Sequence, residues 1–255
     1  MRARGFLALG IVAYAVFLAA TVPARFAVRQ LALPPGIALS NVEGTVWQGA
    51  ARADVTASGA DAQVDVRWRF LPASLVSGRL AFAIEARGKG LDAHGTVARS
   101  FGGYEARGVE LRADAAQLAA VSPLLATWRP QGALTLSAPA FAWDEGRARG
   151  SARAEWKNAS LALTDVRPLG DYRIEASAEG GPAAFTVTTL EGALRIAGHG
   201  TFAPPDALAF SGEARAVGNA AAALEPLLNL LGPRRADGAR TLEWRSIPRS
   251  TARSR

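Results

Sequence analysis

From Gln63 to Phe70 apolar and polar residues alternate without a break. Val64, Val66, Trp68 and Phe70 fall on one side, and Gln63, Asp65, Arg67 and Arg69 on the other, so the segment reads as a strand with one face in apolar surroundings and one in water. The same period returns along the chain. Leu80, Phe82, Ile84 and Ala86 oppose Arg79, Glu85 and Arg87, and Val109, Leu111 and Ala113 alternate with Glu110 and Arg112. Ala154 and Trp156 alternate with Arg153, Glu155 and Lys157, and Tyr172, Ile174 and Ala176 with Arg173, Glu175 and Ser177. Phe185 to Thr188, Leu194 to Ala197, Leu208 to Val217 and Thr241 to Ile247 continue the series. Breaks such as Gly88-Lys89-Gly90, Gly102-Gly103 and Gly180-Gly181-Pro182 have the spacing of turns in an antiparallel meander. Helical crossovers between strands are missing, which argues against a doubly wound nucleotide-binding fold.

Two stretches depart from this period. Asp114 to Leu125 and Asn219 to Leu228 each begin with an N-cap residue, run through alanines and meet a proline followed by two leucines. They look like two copies of a strand-then-short-helix unit, a pattern that alanine richness alone also gives by chance. Leu224, Leu227, Leu228 and Leu231 have helical spacing and are expected to cover one end or edge of the sheet.

The stretch Asn41 to Arg52 stands where an apolar N-terminal segment and its Leu33-Pro34-Pro35-Gly36 exit give way to the alternating region. Thr45, Val46 and Trp47 favour a pleated conformation, and Gly44 and Gly49 bracket them where a Cβ would meet a bulge or a neighbouring backbone. An opening strand is expected there, with Trp47 and Trp68 at a packing centre. Full burial of Trp47 would make its replacement by alanine cost roughly 3 to 5 kcal/mol.

No residue from Gly5 to Val22 is charged, and the apolar run is long enough to cross most of a bilayer. Arg2 and Arg4 on its short N-terminal side favour a cytoplasmic N-terminus, which places the bulk of the chain across the membrane. A cleaved signal peptide is the alternative, but the run exceeds the usual signal core and Pro23 stands beside the candidate cleavage site. A retained anchor is expected.

The formal charge of +7 is confined to the two ends. Residues 1–30 carry +4 and residues 234–255 carry +5, which leaves −2 for the body. A near-neutral body has no basic stripe to follow a phosphate backbone, so nucleic-acid binding is not expected. Cysteine is absent, which removes disulfides, thiolate metal sites and cysteine nucleophiles. His94 and His199 are the two histidines, and neither has a second histidine or a carboxylate at metal-ligand spacing. No nucleophile elbow or phosphate-binding loop is present, so no catalytic, cofactor or metal site is expected. If the meander closes or finds a second layer, its apolar face is core. If it stays open, the Trp, Phe and Leu positions line a groove able to hold an acyl chain.

Several short motifs in order carry a resemblance. The N-terminal anchor is followed by Gly44-Thr45-Val46-Trp47-Gln48-Gly49-Ala50-Ala51, then by Leu169-Gly170-Asp171-Tyr172-Arg173 and Leu190-Glu191-Gly192-Ala193-Leu194. Gly198-His199-Gly200 and Leu227-Leu228-Asn229-Leu230-Leu231-Gly232 complete the set. Over most of residues 1 to 232 the chain resembles the type II secretion system protein N family (general secretion pathway protein N), and more distantly the AsmA-type β-groove proteins implicated in lipid transfer. The first resemblance implies an inner-membrane protein with its bulk in the periplasm, in contact with other secretion-system subunits and without catalytic residues. The second implies an apolar groove that binds lipid.

The expected fold is all-β, a single antiparallel meander forming a curved sheet or partly open barrel, with two short covering helices and one N-terminal transmembrane helix. Residues 1–4 are assigned to the cytoplasm, 5–23 to the anchor, 24–36 to a linker, 37–248 to the periplasmic β domain and 249–255 to a basic tail. Gly44, Trp47, Gly49, Trp68 and Tyr172 are the expected structural or contact residues.

Overall fold

In the computed structural model the described residues are 14, 17–18, 20–30, 33, 36–57, 60–120, 127–144, 147–203 and 207–246. Among them thirteen strands pair in the order in which they occur in the chain, each antiparallel to the next. They are β1 (Ile37–Gly44), β2 (Gln48–Ala57), β3 (Ala60–Phe70), β4 (Leu80–Gly88), β5 (Leu91–Ser100), β6 (Gly103–Asp114) and β7 (Gln131–Asp144). Then come β8 (Arg147–Ser160), β9 (Gly170–Gly181), β10 (Ala183–Gly192), β11 (Leu194–Ala203), β12 (Ala207–Ala216) and β13 (Arg240–Arg245). β1 and β13 do not meet, so the meander is an open sheet.

The register turns the alternation of single strands into two faces of the whole sheet. Ala51, Val66, Ala86, Ala93 and Leu111 lie opposite one another across β2 to β6. Leu136, Ala154, Ile174 and Val187 carry the row on to β10. One residue further along each strand the row is polar: Arg52, Asp65, Arg87, Asp92 and Arg112. Opposite charges face each other there, with Arg52 3.0 Å from Asp65, Arg87 3.5 Å from Asp92 and Arg173 2.9 Å from Glu155. The Arg173 hydrogen bond holds the Glu155 carboxyl below the usual carboxylate range. Exposed pairs of this kind contribute at most about 1 kcal/mol each, but they fix which face meets water.

Helix α1 (Ala24–Gln30) packs on β1, and helix α2 (Ala221–Leu231) packs on β12 and β13. Leu224, Leu227 and Leu228 of α2 are buried against Leu169, Leu194 and Ala214, as their helical spacing predicts. The stretch after β6 forms a 3-10 helix, Ala115–Ala120, laid against β2, β3, β6 and β7. The two helical stretches therefore both cover the sheet but differ in kind, and residues 121–126 lie outside the described set. Asp114 makes its expected cap, its carboxylate accepting the Ala116 N–H at 3.0 Å. Asn219 does not cap α2. It falls inside the 3-10 turn Gly218–Ala220 that leads into the helix, and no side chain caps the start.

The expected strand at Thr45 to Trp47 is a second correction. These residues form the turn between β1 and β2, and pleating resumes at Gln48. Propensity loses here because Gly44, at φ +82°, reverses the chain just before the β-branched pair. The expected spanning segment, residues 5–23, lies largely outside the described residues, as does the tail 249–255. Among the described residues no helix is long and apolar enough to cross a membrane.

Candidate functional site

Four of the five expected site residues meet at the β1–β2 turn. Gly44 and Gly49 are register partners that close the hairpin. A Cβ on Gly44 would stand 2.5 Å from the Gln48 carbonyl, and one on Gly49 would stand 2.5 Å from both the Glu43 carbonyl and the Trp68 ring. The Trp68 indole thus packs against a glycine, and its N–H donates to the Thr45 and Val46 carbonyls at 3.2 and 3.1 Å. Trp47 faces Phe70 with ring centroids 5.0 Å apart, and Phe70 faces Phe82 at 5.5 Å. Onto this turn the N-terminal segment is fastened: Val46 donates its N–H to the Val22 carbonyl at 3.0 Å, and Pro23 bridges to Thr45.

Behind the turn, α1 and the apolar face of β1 to β5 flank an open apolar cleft of about 520 Å³. Ala24, Ala27 and Val28 form one wall, and Val66, Trp68, Phe82, Ile84 and Val97 form the other. Its size and lining are those of a site for an apolar ligand. The helix wall was readable from Ala24, Ala27 and Val28, which recur at the i, i+3, i+4 spacing of a helical stripe. Within the expected linker 24–36, Ala24–Gln30 is helical.

Trp47 is half-buried, so its replacement by alanine is expected to cost about 2 kcal/mol, less than the 3 to 5 of a fully buried aromatic. A chemical denaturation midpoint with unchanged slope checks this, and a loss below about 0.5 kcal/mol would show that the ring packs nothing that matters to folding.

Tyr172 stands apart from this group, at the opposite end of the strands. It is 6 % exposed, donates its O–H to the Leu194 carbonyl at 2.9 Å and leans on Trp156 at 6.1 Å. Burial, with the neighbouring Asp171 charge adding to it, pushes its hydroxyl far above the usual tyrosine range. Around it the other motifs converge. Gly170 and Gly192 are register partners, Leu194 donates its N–H to the Leu169 carbonyl at 2.9 Å, and both leucines are buried under α2. Tyr172 is therefore a packing residue of a second node. Convergence of Leu169, Leu194 and Leu227 depends on the consecutive pairing of β9, β10 and β11 and on where α2 lands on them, and was not readable from spacing.

Gly198 and Gly200 place a third feature on the apolar face. A Cβ on Gly198 would stand 2.6 Å from the Phe210 ring, and the Phe185 ring lies over Gly200. The two rings stack with centroids 6.0 Å apart and planes 5° from parallel. His199 points to the polar face, opposite Thr186 and Ser211, and His94 stands 3.8 Å from Glu110 with both side chains exposed. Among the described residues no group of three or more metal-ligating side chains converges.

A family model described as type II secretion system (T2SS), protein N, matches residues 35–243. The match spans the sheet from the exit of the N-terminal segment to the middle of β13 and contains both nodes. The chain has no significant match among curated proteins or solved structures.

Proposed function

Since the chain belongs to the type II secretion system protein N family, we propose that it acts as an accessory part of a type II secretion apparatus, anchored in the inner membrane by residues 5–23 with its sheet in the periplasm. It works through contacts with other subunits of that apparatus and not by chemistry on a substrate. The observation that carries this reading is the match over residues 35–243, which takes in the entire sheet except its last two residues. The uncharged run Gly5 to Val22 behind two arginines supports the anchor and its orientation.

A second reading is favoured by the open meander and the apolar cleft under α1. A sheet whose apolar face is neither closed nor fully covered is a surface that lipid can occupy, so the protein binds an acyl chain there. Two measurements test the two readings. In a strain lacking the chain, secreted enzymes are expected to accumulate in the periplasm while envelope lipids stay unchanged. Normal secretion would overturn the first reading. Mass spectrometry of the purified protein decides the second: acyl lipid at about one per chain supports it, and its absence removes it.

A further inference from the structure

The meander has two ends, and the connections at them differ. Counting strands from the β1–β2 turn, the links β3–β4 and β5–β6 fall at the same end as Trp47. This is also the end at which Val22 and Pro23 join the sheet. The connections there carry large apolar side chains that pack on nothing. Val76, in the 3-10 helix Pro72–Ser77, is 94 % exposed, and Phe101, in the β5–β6 turn, is 106 % exposed. Phe26, at the start of α1, is more than half exposed.

Arginines stand among them in a particular way. The Arg25 guanidinium lies over the Phe26 ring at 5.5 Å, and that of Arg99 lies over Tyr104 at 4.7 Å while also bonding its hydroxyl. Protruding apolar tips interleaved with arginine and tyrosine are the chemistry of the headgroup layer, where rings sit among acyl-chain ends and guanidinium groups reach phosphate. At the other end, the β4–β5 link is the short polar turn Gly88-Lys89-Gly90.

We propose that this end of the sheet rests in the headgroup layer of a phospholipid bilayer, with Val76 and Phe101 inserted and Arg25 and Arg99 among the phosphates. The inference rests on the anchor reading for its choice of membrane, since the anchor leaves the bilayer beside these tips. It adds a second, peripheral contact between the sheet and the bilayer.

The cysteine-free chain allows single labels to be placed without background. The full chain, carrying a nitroxide at Val76→Cys, Phe101→Cys, Lys89→Cys or Tyr14→Cys, is reconstituted into vesicles of phosphatidylethanolamine and phosphatidylglycerol. Collision with oxygen, which concentrates in lipid, is compared with collision with a water-soluble nickel chelate. The ratio is expected to be several-fold higher at 76 and 101 than at 89. Ratios at 76 and 101 equal to that at 89 overturn the proposal, and if the label at 14 is in lipid the anchor reading survives that failure. Labels at 76 and 101 in lipid with the label at 14 in water would keep the peripheral contact and remove the anchor. Labels at 76 and 101 shielded from both reagents would overturn the proposal in favour of contact between protein chains. All four sites are exposed, so each variant is expected to keep the parent's melting temperature.

Discussion

Replacing Gly192 by alanine is expected to remove at least about 3 kcal/mol of stability, the sum of left-handed strain and backbone overlap. Gly192 has φ +134°, a conformation that L side chains rarely adopt, and a Cβ there would overlap the Gly170 Cα and the Leu169 carbonyl across the strand pair. Both obstacles are backbone, so no side chain can move aside. Relief requires β9 and β10 to part at their ends, which takes Leu169 and Leu194 away from α2. Gly78→Ala is the control. Gly78 also has positive φ, +67°, but nothing lies within 4 Å of its added Cβ, so it should lose only about 1 kcal/mol. Denaturant titrations of the full chain in detergent, with slopes compared, separate the two. Equal losses would mean that the β9–β10 end opens at no cost and that the second node is not tightly built.

The second large effect concerns the latch of α2. Arg240 is 5 % exposed, and its guanidinium donates to Glu225 at 2.5 Å and Asn229 at 2.8 Å. Its Nε is buried without a hydrogen-bond partner among the described residues, so the charge depends on those two acceptors. Removing one partner of a buried pair leaves the other stranded, and the partners here are unequal. Glu225 is 43 % exposed on its side chain and can return to water, whereas Arg240 cannot. Glu225→Ala is therefore expected to cost about 3 kcal/mol, and Arg240→Leu, which removes the buried charge itself and leaves Glu225 free to reach water, about 1 or less. The order of the two denaturation midpoints is the test. An equal or inverted order would show that the guanidinium finds water when its carboxylate is gone.

The alternation at Gln63–Phe70 and its repeats disclosed the strands and their faces because side-chain direction in a pleat depends only on parity. Closure was not readable in the same residues: Val66 or Ile174 would look alike in a barrel interior and on an open face. The leucine stripe of α2 was legible because helical spacing and burial coincide there. Thr45 to Trp47 misled because β-branched and aromatic preference describes a half-buried pleat, while two flanking glycines with backbone against backbone made a turn. Of the site, Gly44, Gly49, Trp47 and Trp68 are brought together at the β1–β2 turn, a meeting that rests on the β2–β3 pairing for Trp68. Tyr172 joined a different node because its partner Leu194 is 22 residues away, across two strand pairings.

Because every strand pairs only with its neighbours in sequence, the sheet has little need of distant segments while it forms. Each new hairpin can add to the preceding one as synthesis proceeds, with small loop-closure entropy at each step and no long search. Growth starts beside the N-terminal segment, at β1 and β2, and moves away from it. Only α2 and β13, which arrive last, supply the leucines that bury Leu169 and Leu194. A chain interrupted before residue 221 would thus hold a paired but uncapped sheet, whose far edge offers unpaired backbone to any other strand. Completion of the C-terminal node moves that open edge to β13 and is the event that puts Leu169 and Leu194 under cover.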